Sequence, residues 1–221
     1  MKEERAIEIS EHIDRLITVD IHTRQFIIDL YNAARKKMGD KPLTYLAAKA
    51  VLSSFKEGSC IIFLAGFPTF GTYIAEQDGP VGAAVLSRVL AELLSAKIVA
   101  YTDAAQAEMV KRTFMGVGFS MIDSIKDFVH NHQALVKGVK ENTSLDAGSI
   151  LDECNASMVI TIERPSKNIN GKYMSMKGLD LSYKIARLDE IVEEAKRRHI
   201  TTIGIADGGN EIGCGLIRED V

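Results

Sequence analysis

The chain has 221 residues, 27 Lys and Arg against 30 Asp and Glu for a net charge of −3, and 46% hydrophobic residues. This is the composition of a soluble globular protein with a sizeable core, and it excludes a disordered polyampholyte. A near-neutral balance with a pI near 6.0 leaves no basic stripe for a phosphate backbone, so no nucleic acid partner is expected.

The amino terminus, Met1 to Arg5, leads into alternating charged and apolar residues and has no uninterrupted apolar run for export. Residues 4–19 place Ile7, Ile9, Ile13, Leu16 and Ile17 at mostly helical spacing, and 24–38 repeats the pattern with Phe26, Ile27, Leu30, Tyr31 and Ala34. A third helix is predicted from Pro42, a favoured first-turn residue, to Glu57-Gly58. Cys60 to Ala65 is then a continuous apolar run, as expected for a strand buried on both faces of a parallel sheet. The most apolar stretch, Cys60 to Phe67, is eight residues long, against about 20 for a membrane helix, so no membrane partner is expected.

A glycine-containing loop, Gly66 to Gly79, feeds a predicted helix from Pro80 to about Leu94, followed by a strand at Lys97–Tyr101 and a helix from about Ala104 to Met115. A weaker strand is predicted around Phe119–Ile122, and the segment from Asn131 to Asp152 reads as loop or two short helices. Ser157–Ile162 and Thr201–Ala206 are two more strands, with a charged helix at about Leu188–Arg198 between them. The βαβα order predicts an α/β fold with an open, mostly parallel sheet, helices on both faces and a helical amino-terminal extension. Without repeats or a Pro/Gly/Ser linker, residues 1–221 are expected to form a single α/β domain, 1–57 helical and 58–221 carrying the sheet. Cys60, Cys154 and Cys214 form no C-x-x-C pair, which argues against a disulfide framework or zinc knuckle and for a cytoplasmic location.

In such a sheet, ligands sit beyond the carboxyl ends of the strands. Three strand ends carry carboxylates: Glu76 and Asp78 before the helix at Pro80, Glu163 beside Arg164, and Asp207-Gly208-Gly209-Asn210-Glu211. Carboxylates converging in one crevice repel unless a cation lies between them. Hard oxygen donors without His or Cys favour Mn2+ or Mg2+, so Glu76, Asp78, Glu163, Asp207 and Glu211 are the candidate ligands. Gly66, Gly79, Gly208, Gly209 and Asn210 are candidate substrate contacts, the glycines because they let the backbone approach an ion or anion closely. Arg164 is a candidate carboxylate or phosphate anchor through its fork.

Each feature also has a plain structural reading: Glu76 and Asp78 as helix-start residues, Asp207 with its glycines as a tight turn, and Glu163-Arg164 as a surface ion pair. Gly66-x4-Gly71 is rejected as a phosphate loop because Thr72 and Tyr73 stand where Lys and Ser/Thr are required. Gly116-Val117-Gly118 reads as a helix stop. Cys214 has no His near it in sequence, His12, His22, His130, His132 and His199 being scattered, and is a poor candidate nucleophile; His130 and His132 have no carboxylates at matching spacing and read as a solvated pair, and Met174 and Met176 read as packing or loop cover.

Three stretches resemble one known family: Glu76-Gln77-Asp78-Gly79-Pro80-Val81-Gly82-Ala83-Ala84, Ile162-Glu163-Arg164-Pro165 with Asn170 to Asp180, and Ile205-Ala206-Asp207-Gly208-Gly209-Asn210-Glu211-Ile212-Gly213. In this order they are similar to the carboxy-terminal domain of D-glutamate cyclase and its stand-alone bacterial and archaeal relatives. The resemblance implies an α/β domain with an acidic pocket and an activity requiring a divalent metal such as Mn2+. It implies conversion of D-glutamate to 5-oxo-D-proline and water, with metal-dependent phosphatase activity on a small phosphate ester as the alternative, and a non-catalytic metabolite- or nucleotide-sensing module as a second one. In the cyclase reading Glu76, Asp78, Arg164 and Asp207 are the expected catalytic residues, and Lys172 joins Arg164 as anchor of a small acidic metabolite. A homo-oligomer is compatible with the sequence. Gln77 departs from the Thr usual in relatives, and relatives usually continue past the position of Val221 with further strands and a Ser-Asn-Trp-Gly-type segment, so an edge of the fold or pocket is expected to be missing.

Overall fold

The structure, a computed structural model, describes residues 2–21, 26–69, 71, 72 and 74–220. Arg24 and Gln25 at the start of the second predicted helix, His22, and Phe70 and Tyr73 of the glycine loop lie outside the described residues.

Three helices lead, α1 (Glu3–Ile17), α2 (Ile27–Lys37) and α3 (Leu43–Ser54). Buried Asp14 of α1 joins them: it accepts from the backbone N–H groups of Leu43 (2.7 Å) and Thr44 (3.1 Å), capping α3, and from the Tyr31 hydroxyl of α2 (2.9 Å). Next come β1 (Cys60–Ala65), α4 (Asp78–Leu94), β2 (Lys97–Asp103), α5 (Ala107–Gly116) and β3 (Ser120–Ile122). The chain continues through β4 (Gln133–Val139), α6 (Ala147–Glu153), β5 (Ala156–Ile162), α7 (Asp189–Arg197) and β6 (Thr201–Ile205).

The six strands form one parallel sheet in the order β3-β4-β2-β1-β5-β6. Strand periodicity divides its apolar residues between two cores. Ile61, Phe63, Ile98, Ala100, Met158 and Ile160 pack against Ala83, Ala84 and Leu90 of α4 and Val110 and Phe114 of α5. Cys60, Ile62, Leu64, Val99 and Val159 pack the other way against Leu151 of α6 and Ile191 and Val192 of α7. The predicted α/β sheet with helices on both faces is therefore present, and α3 carries the helical extension onto β5 and β6.

One reading is corrected. The segment 131–152 holds a strand, β4, as well as a helix, and β4 pairs with both β2 and β3. Its apolar centre is only Ala134-Leu135-Val136, with Lys137 and Gly138 following, too short a run to stand out without its neighbours. Gly138 lies so close to the start of α5 and the turn before it that a Cβ there would stand 2.8 Å from Ala107 Cβ and 3.0 Å from Ala104 Cα.

Candidate functional site

The strand order reverses at β1, with β2 on one side and β5 on the other, so the crevice beyond the carboxyl ends of β1 and β5 is the topological switch point. The amino terminus of α4 closes directly onto it. A Cβ on Gly79 would stand 2.9 Å from Glu163 Cβ and 3.1 Å from the Ile162 carbonyl oxygen, so only a glycine permits this approach.

Glu163 follows β5, with a left-handed φ of 46°, while its N–H continues the sheet by donating to Ile205 O (3.0 Å). Such a backbone costs a β-substituted residue about 1 kcal/mol or more and persists where surrounding structure holds it. On the neighbouring strand, Gly209 (φ 87°) turns the chain after β6, and the loop folds back so that Ile212 N–H donates to Arg164 O (2.8 Å) and Ser166 N–H to Asn210 O (3.0 Å). This return brings Glu211 beside Asp207. Oxygens of Glu163, Asp207 and Glu211 all lie within 4.8 Å of one another, with Glu163 and Glu211 buried.

Three of the five predicted ligands thus meet. Glu76 and Asp78 stand outside that tight cluster, yet near enough for their charges to act on Glu163. Burial first, and then the charges of Glu211, Asp207, Asp78 and Glu76, push the Glu163 carboxyl up to about 9 from an ordinary 4.5. Burial also raises Glu211, against the opposing effect of the Gly208 N–H that donates to its Oε1 (3.0 Å).

The donor set suits a hard divalent cation: clustered carboxylates, no imidazole, and one further oxygen, Asn210 Oδ1, that is buried without a hydrogen-bond partner. Cys214 lies against the cluster, its thiol donating to Glu211 Oε2 at 3.6 Å. Burial and that carboxylate push it up to about 12, so it holds its proton and lacks the thiolate a nucleophile needs.

Arg164 differs from its predicted role. It is 1% exposed and its fork is turned inward: Nη1 and Nη2 donate to Asp103 Oδ2 (2.6 Å) and Oδ1 (2.8 Å), and also to the carbonyls of Gly66 (3.0 Å) and Ala186 (2.8 Å). Both terminal nitrogens are engaged within the protein, so Arg164 fastens the ends of β1, β2 and β5 together and is not an open carboxylate anchor. Nor is Glu163-Arg164 a surface ion pair. Lys172 is exposed and pairs with Asp180 Oδ2 at 3.0 Å.

Asp103 is the residue the sequence reading missed. It ends β2 as the other carboxylates follow their strands, but ending that strand at Tyr101 hides it.

The segment between β5 and α7 covers the site through short antiparallel bridges, Lys167 with Tyr173 and Met174 with Asp180. Tyr173, Leu181 and Ile185 pack with Phe67 from the loop after β1. Asn210 Nδ2 donates to Met174 O (2.8 Å), which ties this cover to the glycine turn.

The fold and site define a parallel α/β protein with an acidic, cation-ready crevice at its switch point. The sequence model of the family described as D-glutamate cyclase-like, C-terminal matches residues 13–221, and the chain belongs to that family. It is also similar to mitochondrial D-glutamate cyclase of Homo sapiens, 30% identical over 64 residues, which is 28% of this chain and 10% of the human protein. The chain therefore spans only a small part of that relative's length. No helix among the described residues is long and apolar enough to cross a membrane.

Proposed function

We propose that the chain is a divalent-cation-dependent enzyme that converts D-glutamate to 5-oxo-D-proline and water. The observation that carries this reading is the convergence of Glu163, Asp207 and Glu211 within 4.8 Å in a chain of the D-glutamate cyclase-like family. These three residues would hold Mn2+ or Mg2+, with Glu76 and Asp78 in the next ring. When bound, the cation supplies Lewis-acid polarisation of a substrate carboxyl group.

Cyclisation joins the amine nitrogen to the γ-carboxyl carbon and expels one γ-oxygen as water, two protons passing from the ammonium group to that oxygen. Asp78 and Glu76, carboxylates outside the tight cluster, are the groups proposed to take the proton from the amine. With Arg164 committed to Asp103, the α-carboxylate falls to Lys172, which exchanges Asp180 for the substrate, and to the amino terminus of α4. Of the glycines, Gly208 alone has its side-chain space beside the cluster, next to Glu211 Oε1 and Asn210 Oδ1, while Gly66 and Gly79 serve close packing against Gln106 and Glu163.

The test is a paired assay of the purified chain with Mn2+: D-glutamate with chiral detection of 5-oxo-D-proline, and a generic phosphate ester with phosphate release. Product from D-glutamate, abolished by a chelator, is the expected result. Phosphate release alone would transfer the site to phosphate-ester hydrolysis, and metal binding without either turnover would make the chain a sensing module. Absence of metal binding would remove the enzyme readings together.

A further inference from the structure

We propose that Asn210 is a fourth protein ligand to the cation, its side-chain amide oxygen completing one edge of the Glu163, Asp207 and Glu211 cluster. This rests on the cation reading above and assigns a metal-ligand role to a residue read from the sequence as a substrate contact.

Three observations carry it. First, the orientation of the Asn210 amide is determined: Nδ2 lies 2.8 Å from Met174 O, and a carbonyl can only accept, so the NH2 group belongs there and Oδ1 faces the other way. Second, that oxygen is buried and has no donor, although buried amide oxygens nearly always have one. Third, it lies beside the acidic cluster. A Cβ on Gly208 would stand 2.8 Å from Asn210 Oδ1 and 2.6 Å from Glu211 Oε1, so the two oxygens border the same space, and Glu211 belongs to the cluster.

An amide is the chemically apt ligand here. Three carboxylates already exceed the charge of a divalent cation, and a fourth would add repulsion, whereas an amide oxygen adds a donor without charge. Asn also satisfies the Met174 carbonyl with its other end, which Asp at that position does not. The pairing makes the loop that covers the site a second-layer support for the ligand. Gly208 is then required by space: any side chain would push between the two ligating oxygens.

The experiment measures Mn2+ binding to the full chain by calorimetry and by the free-ion EPR signal, for the parent, Asn210→Ala, Asn210→Cys and Gly208→Ala. Metal-free thermal melts report folding. Asn210→Ala and Gly208→Ala are expected to weaken Mn2+ by about tenfold or more. Asn210→Cys, made together with Cys214→Ser and compared with Cys214→Ser alone because the Cys214 thiol already lies against Glu211, is expected to lose Mn2+ similarly but to retain Cd2+, with a thiolate-to-Cd2+ ultraviolet absorption that the single variant lacks, because a soft ligand then replaces a hard one. For any variant that does not fold, the parent labelled with 13C at Asn gives the reading directly: the Asn210 side-chain carbonyl resonance shifts on Mg2+ addition.

Parental Mn2+ affinity in folded Asn210→Ala, no added Cd2+ absorption in folded Asn210→Cys with Cys214→Ser, or an unmoved carbonyl resonance would overturn the assignment while leaving the three-carboxylate site intact. A parent chain that binds no Mn2+ would overturn both.

Discussion

Glu163 combines a left-handed backbone, burial and four acidic neighbours, and each is tolerable only because the surrounding loops hold it there. The consequence is a pH dependence of definite sign. The unfolded chain releases this proton near 4.5 and the folded chain near 9, so between those values the folded state binds more protons. Its contribution to stability is complete below about pH 4.5 and is lost as pH rises toward 9, with a slope of at most about 1.4 kcal/mol per pH unit. Thermal melts of the metal-free protein across this range are expected to show the decline, and Glu163→Gln to flatten it. Saturating Mn2+ is expected to remove the same decline, because a cation held by Glu163 would displace the proton.

Arg164 and Asp103 show the opposite management of buried charge, an ion pair with every Nη engaged. Asp103→Asn leaves a buried guanidinium without its counter-charge, which costs about 3–5 kcal/mol. The melting temperature is expected to fall accordingly while Mn2+ affinity changes less than tenfold. A large loss of affinity without destabilisation would return Arg164 to the ligand side of the crevice.

Among the elements, α4 is the one whose placement the site needs most. Ala83, Ala84 and Ala91 face the sheet, and these small residues bring the helix axis close, with Gly79 bringing its first turn against Glu163 and Ile162. Gly79→Ala is expected to displace the turn or the Glu163 backbone, weakening Mn2+ about tenfold or more. Unchanged binding by calorimetry would show that the close approach is packing alone. Strand β1 was legible as an unbroken apolar run ending at Gly66, and β5 and β6 as β-branched-rich stretches running up to Glu163 and to Ala206-Asp207. Strand β4 was not, since a three-residue apolar centre carries no periodicity to separate it from a helix turn or a buried loop. Its identity comes from partners on both edges.

For the molecule as a whole, a net charge of −3 conceals an uneven distribution. Three acidic side chains, two of them buried, share one crevice, and without a cation their burial and crowding keep the Glu163 carboxyl protonated up to about 9, so ionising all three is a cost that the metal-free fold bears. A cation that binds only the folded chain removes that cost: at a hundred times its Kd it stabilises by about 2.7 kcal/mol, or roughly 5–10 °C for a chain of this length. A melting series with Mn2+, Mg2+ and a chelator checks this, and no shift with either ion would refute cation binding to the fold.

The sequence by itself determined the parallel α/β sheet, the strand ends that bear carboxylates and the family to which the three motifs point, because these are written in continuous apolar runs and in short contiguous stretches. It also located Glu163, Asp207 and Glu211. Only the tertiary structure decided which carboxylates touch, that Arg164 turns inward to Asp103, and that Asn210 presents an unsatisfied oxygen beside Glu211. Those outcomes depend on strand order and on how closely α4 and the returning glycine loop approach the sheet. The Arg164–Asp103 pair joins residues 61 positions apart, and the meeting of Glu163 with Asp207 and Glu211 likewise joins two strand ends distant in sequence, so no local pattern encodes them.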